Sequence, residues 1–167
     1  MTGCAALLLN CGAKTIHSWS GIRLAKGEME NVVHSVLYNK RSAQNWKSID
    51  ILVIDEVSMM SLKVLEVLNQ IAQRARCNDM PFGGIQIVFS GDFYQLPPVG
   101  NSGELESEKF CFESKMWPII FPLANVIVLK TIFRQTDPVY KEILLQIREG
   151  RLTDKNNKIL KKYVNRE

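Results

Sequence analysis

A chain of 167 residues with 46% hydrophobic and 23% charged residues has the length and composition of one ordinary globular domain. These values exclude an intrinsically disordered chain, and no stretch approaches the roughly 20 consecutive apolar residues of a membrane span. The 21 Lys and Arg residues against 17 Asp and Glu leave a net charge of +4, which permits nucleic-acid binding without indicating it.

The cysteines and the N-terminus indicate the compartment. Four cysteines, at positions 4, 11, 77 and 111, are scattered without a C-x-x-C pair, and the two histidines complete no zinc-ligand spacing. Four reduced thiols in a reducing compartment are therefore expected. Because the N-terminus also lacks the charged segment of a secretory signal, we expect an intracellular protein that does not associate with a membrane.

The hydrophobic pattern predicts alternating helices and strands. In chain order these are a helix over 28–38, a strand over 49–54, a helix over 62–71 with Ser58 or Ser61 as its cap, a strand over 85–89, a third strand-like run over 126–129, and helices over 139–148, ending at Gly150, and 154–164. Strand, helix, strand indicates a parallel βαβ unit, and the nearly continuous apolar run of the first strand predicts a sheet covered by helices on both faces. The fold class is α/β.

Carboxylates follow the first strand, where α/β proteins bind ligands. Asp55 and Glu56 come after four apolar residues, which is the Walker B pattern. A rigid strand end would let Asp55 bind Mg²⁺, usually through water, and let Glu56 deprotonate an attacking water. Strands that end in Asp-Glu also occur by chance.

A second group of polar residues follows the second strand, in residues 91–99 (Gly-Asp-Phe-Tyr-Gln-Leu-Pro-Pro-Val). Gln95 is placed to hydrogen-bond a terminal phosphate or the water that attacks it. The alternative is a loop whose prolines only set its path. Beyond the third run, Arg134 is a candidate ligand of the γ-phosphate, with a surface salt bridge as its alternative.

Taken together, these segments resemble the PIF-one family of superfamily-one DNA helicases. Residues 55–59 (Asp-Glu-Val-Ser-Met) are similar to motif II, residues 81–87 to the family's signature segment, and residues 91–99 to motif III. Upstream, residues 2–6 and 12–22 resemble motif Ia and the segment after it. Downstream, residues 110–114, 133–135 and 147–150 continue the match, so the similarity covers nearly the whole chain.

The resemblance implies part of an ATP-dependent, Mg²⁺-requiring 5′ to 3′ helicase that unwinds duplex or structured DNA in genome maintenance (repair, recombination, telomere maintenance). Its fold would be a RecA-like P-loop NTPase sheet with flanking helices, of which residues 1–167 form part of the first motor domain, from motif Ia to about motif IV. Asp55 would bind Mg²⁺, Glu56 would activate water, Gln95 would contact the γ-phosphate, and Arg134 would stabilise the transition state. Expected partners are single-stranded DNA, DNA junctions and ATP, with a monomeric protein in the nucleus or mitochondrion if the source is eukaryotic.

The resemblance also implies DNA contacts. Candidate residues are Gly3, His17, Ser18 and Trp19, with Phe93 and Pro97 as secondary candidates. Trp19 could equally be a core residue, and His17 a structural histidine.

One family element is absent from these residues: no G-x-x-x-x-G-K-[ST] phosphate loop occurs in the sequence. The fold is therefore expected to be incomplete at its N-terminus, as a fragment of a longer product or as a split or decayed gene, and the isolated chain is expected not to hydrolyse ATP efficiently. Two other functions stay open: a metal-dependent nuclease that uses Asp55, Glu56 and Asp92, and a non-enzymatic remnant that binds single strands weakly or is inert.

Overall fold

Two parallel strands, β1 (Ile51–Ile54) and β2 (Gln86–Phe89), form the sheet of the computed structural model, which describes Gly3, Ala6 and residues 11–164. Their register pairs Ile51 with Gln86 and Ile54 with Phe89. The helix between them confirms the predicted βαβ unit. The chain separates into two units, residues 1–126 and 127–167, each described here by itself.

Five helices of the first unit are described. They are α1 (Ile16–Ser20), α2 (Met29–Tyr38), α3 (Lys40–Ser48), α4 (Leu62–Arg76) and α5 (Trp117–Ile120). Short 3₁₀ turns occur at Val57–Met59, Pro81–Gly84, Leu105–Ser107, Cys111–Glu113 and Leu123–Asn125. The sequence did not predict α3, whose Asn39 side chain caps it by accepting hydrogen bonds from the backbone N–H groups of Arg41 and Ser42.

Helix α4 is the centre of the core. Its residues Leu65, Val67, Leu68, Ile71 and Ala72 are fully buried, and they join Leu52 and Ile54 of β1 in one hydrophobic cluster. Ser61 caps the helix, because its hydroxyl accepts a hydrogen bond from the backbone N–H of Val64 at 3.2 Å. Of the two predicted caps, Ser61 is therefore correct and Ser58 is wrong.

The turn Pro81–Gly84 fixes the start of β2 against α4. A Cβ on Gly83 would lie 2.6 Å from the carbonyl oxygen of Ala72, so only glycine fits there at its φ of 60°. Asn69 accepts a hydrogen bond from the backbone N–H of Phe82 at 2.8 Å. At the end of α4, the Arg76 guanidinium donates hydrogen bonds to the carbonyls of Gly83 and Ile49. These bonds link the segment that precedes β2 to the segment that precedes β1.

One prediction about the sheet is wrong, that of a third strand. Within the first unit, Leu52 and Ile54 are buried under helices, whereas Ile51 and Val53 on the opposite face are 56% and 63% exposed, so cover on both faces stays a prediction. Residues 126–129 form no strand, and their side chains are 56–89% exposed. A strand needs a hydrogen-bonded neighbour, and the described sheet contains β1 and β2 alone.

The second unit contains the helices α6 (Pro138–Arg148) and α7 (Asp154–Lys161), which confirms both predicted C-terminal helices with α7 ending earlier than expected. Gly150 follows α6 with a φ of 67°, as predicted for a helix stop. Asn156 of α7 is buried and donates to the side chains of Glu142 and Gln146 on α6. Among the apolar residues of α6, only Ile143 is buried.

The described cysteines agree with the expected reduced thiols. Cys11, Cys77 and Cys111 are free, and Cys4 lies outside the described residues. Burial raises the pKa of the Cys111 thiol to about 12, so this sulfur is unreactive at neutral pH. Within the part of the chain that the structure describes, no helix is long and apolar enough to cross a lipid bilayer.

Candidate functional site

The turn after β1 presents the predicted Walker B carboxylates. Asp55 and Glu56 are both half-buried at the strand end, and Glu56 adopts left-handed backbone angles of φ 57° and ψ 46°. Only a few per cent of non-glycine residues have a positive φ, and they concentrate at functional sites. The conformation reverses the chain into the 3₁₀ turn that follows.

The ends of β1 and β2 are bound to each other at this turn. The backbone N–H of Ser90 donates to the carbonyl of Ile54 at 2.9 Å, and the N–H of Val57 donates to the carbonyl of Ser90 at 3.1 Å. A Cβ on Gly91 would lie 2.8 Å from the backbone nitrogen of Val57. Glycine is therefore required where the second strand passes the Asp55–Glu56 turn.

Gln95 is held at the same edge by Asp92. The Asp92 carboxylate accepts a hydrogen bond from the backbone N–H of Tyr94 at 3.1 Å and a long one from the Gln95 amide at 3.4 Å. The backbone N–H of Gln95 donates to the Asp92 carbonyl at 2.9 Å. This turn exposes the Gln95 side chain to solvent at the edge of the sheet.

Glu56 and Gln95 meet at one cavity of about 210 Å³, which Ser58, Met59 and Leu96 also line. The sequence predicted this convergence, because the carboxyl ends of adjacent parallel strands share an edge. The sequence missed Ser58 as a lining residue. Its side chain is 1% exposed, and its hydroxyl has no hydrogen-bond partner among the described residues.

Asp55 fits the expected magnesium ion. Proteins commonly hold Mg²⁺ with one or two carboxylates and the phosphates of the substrate, and Asp55 supplies a carboxylate at the strand end beside Glu56. Bound there, the ion would neutralise charge on the transferred phosphoryl group. No three His, Cys, Asp or Glu residues form a metal-binding group in the described residues, so the ligand cluster of the nuclease alternative is not found there.

The predicted DNA-binding residues of the N-terminal side differ in exposure. Gly3 and Ser18 are exposed, whereas His17 is half-buried and burial lowers the pKa of its imidazole. The Trp19 ring packs edge-on against buried Trp46, with ring centroids 4.8 Å apart. Trp19 therefore packs as a core residue does, which was the alternative to DNA contact. Only the exposed part of its ring is available to stack on a DNA base.

The loop of residues 91–99, which resembles motif III, contains both buried and exposed residues. Phe93 packs among Phe110, Phe112 and Trp117, with its centroid 4.9 Å from that of Phe112. Pro97 is exposed and Pro98 is buried. A role for Phe93 in DNA contact stays a prediction, because the structure shows its ring contacting other aromatic side chains.

His17 and the Pro98–Val99 segment line a second cavity, of about 310 Å³. Lys63 lies on its wall and is 7% exposed. The Lys63 ammonium donates to the carbonyl of Gly27 at 2.6 Å and pairs with Glu104 at 2.8 Å. The 41 positions between Lys63 and Glu104 in sequence explain why no local pattern predicted this pair.

Arg134 lies in the second unit, exposed, on the stretch that precedes α6. Its proposed role as a γ-phosphate ligand is not tested by the geometry within that unit.

A parallel βαβ unit with carboxylates and an amide at its strand ends is the α/β arrangement expected of the RecA-like class. Residues 1–158 match the family model described as PIF1-like helicase, and the chain belongs to this family. It is 43% identical over 152 residues to the ATP-dependent DNA helicase RRM3 of Saccharomyces cerevisiae, a match that covers 91% of this chain and 20% of that protein. It is 40% identical to the ATP-dependent DNA helicase PIF1 of the same species, over 96% of this chain and 18% of that protein.

Solved structures give the same result. The crystal structure of the Pif1 helicase from Candida albicans superposes with a TM-score of 0.80 at 39% identity, over 90% of this chain and 33% of that chain. A crystal structure of Bacteroides Pif1 bound to single-stranded DNA superposes with a TM-score of 0.72 at 29% identity, over 97% and 39% of the two chains. The chain spans about a fifth of the length of the two Saccharomyces cerevisiae helicases named above.

Proposed function

We propose that this chain is part of an ATP-dependent DNA helicase that moves 5′ to 3′ and unwinds duplex or structured DNA in genome maintenance. The observation that carries the proposal is the cavity at the strand ends, which brings Glu56 and Gln95 together. Membership of the PIF1-like helicase family supports it. In this proposal residues 1–167 form part of the first motor domain.

Each site residue has a role in ATP hydrolysis. Glu56 accepts a proton from the attacking water, and Gln95 hydrogen-bonds the terminal phosphate or that water. Asp55 holds Mg²⁺ at the strand end, and Arg134 stabilises the charge that develops on the phosphoryl group. The Asp92 contacts orient Gln95 before substrate binds.

DNA binds, in this proposal, on the side of His17 and the proline loop. Gly3, His17 and Ser18 contact the strand, with Trp19, Phe93 and Pro97 as further candidates. A relative from Bacteroides has been solved bound to single-stranded DNA, which supports the same ligand here. We propose an intracellular location, nuclear or mitochondrial in a eukaryote. We also propose a monomer in solution. One of the solved structures describes two coordinating Pif1 helicases at forked double-stranded DNA.

The test uses the full-length polypeptide that contains this segment. We expect Glu56→Gln to lower ATP turnover by about 10²-fold or more while ATP binding is retained, because only the general base is removed. Unwinding is measured on duplexes with a 5′ or a 3′ single-stranded tail, and the 5′-tailed substrate should be preferred. Glu106→Gln, at an exposed glutamate, is the matched control.

Two results would contradict the proposal. The first is normal turnover in the Glu56→Gln variant. The second is metal-dependent cleavage of DNA without ATP, which would favour the nuclease. The isolated 167 residues serve as a comparison and are expected to show no efficient turnover, because they contain no phosphate-loop motif.

A further inference from the structure

Phe93 packs inward from the turn that carries Gln95. The turn spans four residues, Asp92 to Gln95, and the backbone N–H of Gln95 closes it by donating to the Asp92 carbonyl at 2.9 Å. The half-buried Phe93 ring lies edge-on to three aromatic rings at centroid distances of 4.9–6.1 Å, those of Phe110, Phe112 and Trp117. Edge-to-face contacts are directional, so three neighbours fix both this ring and the backbone that carries it.

The same aromatic rings are joined to the segment that follows Glu56. Two backbone hydrogen bonds, of 2.9 Å and 3.1 Å, connect residues 60–62 to residues 109–111 in an antiparallel bridge. Residues 60–62 come directly after the 3₁₀ turn that begins next to Glu56. Because Phe110 lies within that bridge and contacts Phe93, the aromatic rings connect the two turns that line the cavity of about 210 Å³.

The position of the Gln95 amide depends on the backbone of its turn. The Gln95 side chain is exposed, and its hydrogen bond to Asp92 is long, at 3.4 Å. Tyr94, the residue between Phe93 and Gln95, is 67% exposed. Phe93 therefore supplies the apolar contact that holds this turn against the first unit.

We propose that Phe93 is a positioning residue for ATP hydrolysis. Its packing among the aromatic rings holds Gln95 at the separation from Glu56 at which the amide can hydrogen-bond the terminal phosphate or the attacking water. The inference rests on the proposed function, and in it Phe93 itself contacts neither ATP nor water. A DNA contact by Phe93 is the alternative role, and the experiment below distinguishes the two.

This role predicts a loss of kcat when the ring contacts are removed. Phe93→Leu keeps an apolar side chain but loses the edge-to-face contacts, so kcat for ATP should fall by about 10-fold, with KM within about twofold, because Gln95 acts on the transferred phosphoryl group. Phe112→Leu changes the ring nearest to Phe93, at 4.9 Å, and should lower kcat by a smaller factor. Phe112 is 40% exposed, so the fold should tolerate its replacement.

A second phenylalanine of the same aromatic group is the matched control. Phe121 is also half-buried, and its ring lies 4.7 Å from the ring of Phe89 and 4.7 Å from that of Trp117. Phe121→Leu should lower the melting temperature about as much as Phe93→Leu and leave kcat of the folded protein unchanged. The two variants thus separate the loss of an aromatic contact from the displacement of Gln95.

A double variant tests whether Phe93 acts through Gln95. Gln95→Ala removes the amide, so adding Phe93→Leu to that background should lower kcat no further. A ring that supported the site in some other way would lower kcat again in the double variant.

The experiment measures thermal denaturation, affinity for a single-stranded oligonucleotide, and steady-state ATP hydrolysis at a saturating concentration of that oligonucleotide. It uses the full-length polypeptide that contains this segment, unsubstituted and with each change. A loss of kcat in Phe93→Leu that is absent in Phe121→Leu and absent in the Gln95→Ala background supports the inference. If Phe93→Leu does not fold, Phe112→Leu is compared with the same control and in the same background.

Three results overturn the inference while the proposed function stands. They are an unchanged kcat in Phe93→Leu, an equal loss of kcat in Phe121→Leu, and a further loss in the double variant. Weakened oligonucleotide binding with unchanged kcat in Phe93→Leu would favour the DNA contact instead. Absence of turnover in the unsubstituted protein, or normal turnover in Gln95→Ala, contradicts the proposed function or its role for Gln95, and this inference with it.

Discussion

At the scale of single residues, two backbone features position Glu56, the general base of the proposed function. Glu56 has left-handed angles, and Gly91 allows the end of β2 to pass the nitrogen of Val57. A side chain at position 91 would displace the turn that carries Glu56, because the Val57–Ser90 hydrogen bond joins the two turns. The geometry of Glu56 therefore depends on a glycine 35 positions later in the sequence (91 − 56).

Gly91→Ala is expected to destabilise the protein and to displace Glu56. The new Cβ would lie 2.8 Å from a backbone nitrogen that cannot move aside alone. Overpacking of this kind costs about 1–3 kcal/mol, and for a chain of this length that lowers the melting temperature by about 2–12 °C. Ser90→Ala keeps the same backbone hydrogen bonds and should change little. Thermal denaturation of both variants checks the prediction, and equal melting temperatures would contradict it.

At the scale of elements, an ion pair ties the loop of residues 98–108 to α4. Lys63 in the first turn of the helix pairs with Glu104, and the other Glu104 oxygen accepts a hydrogen bond from the backbone N–H of Gly27 at 2.7 Å. Asn101 donates to Glu104 as well. Three separate parts of the chain therefore meet at one carboxylate beside the cavity that His17 and Pro98 line.

This carboxylate makes part of the stability depend on pH. The Lys63 ammonium, followed by the Gly27 and Asn101 hydrogen bonds, lowers the pKa of Glu104 from 4.5 to about 2. A lowered pKa in the folded state stabilises the protein above about pH 4.5, and that contribution is lost as the pH falls toward 2.

Glu104→Gln should therefore lower the melting temperature by a few degrees at pH 7, and the difference from the unsubstituted protein should shrink below pH 4.5. Melting curves from pH 7 to pH 3 measure this difference. Glu106→Gln in the same loop is the control and should show no such trend. A difference that stays constant over this range would exclude the ion pair as its cause.

At the scale of the whole molecule, the net charge of +4 and the exposed surface near His17 bear on DNA binding. We expect the chain to bind a single-stranded oligonucleotide with an affinity that falls steeply with salt concentration, since binding releases counterions from the phosphates. In the proposed DNA contact, His17 would contribute differently from a lysine. Burial lowers the pKa of its imidazole, so at pH 7 the side chain would be a neutral hydrogen-bond donor.

His17→Ala should weaken binding by about 2- to 10-fold, the value of one neutral hydrogen bond, without changing the slope of log affinity against log salt. Lys14→Ala, at an exposed cation, should reduce the slope by about 1 if the lysine contacts a phosphate. Fluorescence anisotropy at several salt concentrations distinguishes the two variants. No measurable binding by the unsubstituted chain would favour an inert remnant.

Local pattern predicted most elements of this molecule, because periodicity and caps act over a few residues. Both strands and helices α2, α4, α6 and α7 follow their apolar spacing, and Ser61 caps α4 as a serine before an apolar run should. Helix α3 was missed because its sequence is mostly polar, with only Ala43 and Trp46 buried. The β-branched run at 126–129 has strand propensity but no neighbour in the described sheet.

The sequence by itself determined the α/β class, the family and the convergence of Glu56 and Gln95, since parallel strands present their carboxyl ends at one edge whatever surrounds them. Only the tertiary structure decided what each side chain contacts. The Lys63–Glu104 pair and the packing of Phe93 among aromatic rings both depend on residues distant in sequence. Contacts of that kind follow from packing in three dimensions, and no local spacing of residues encodes them.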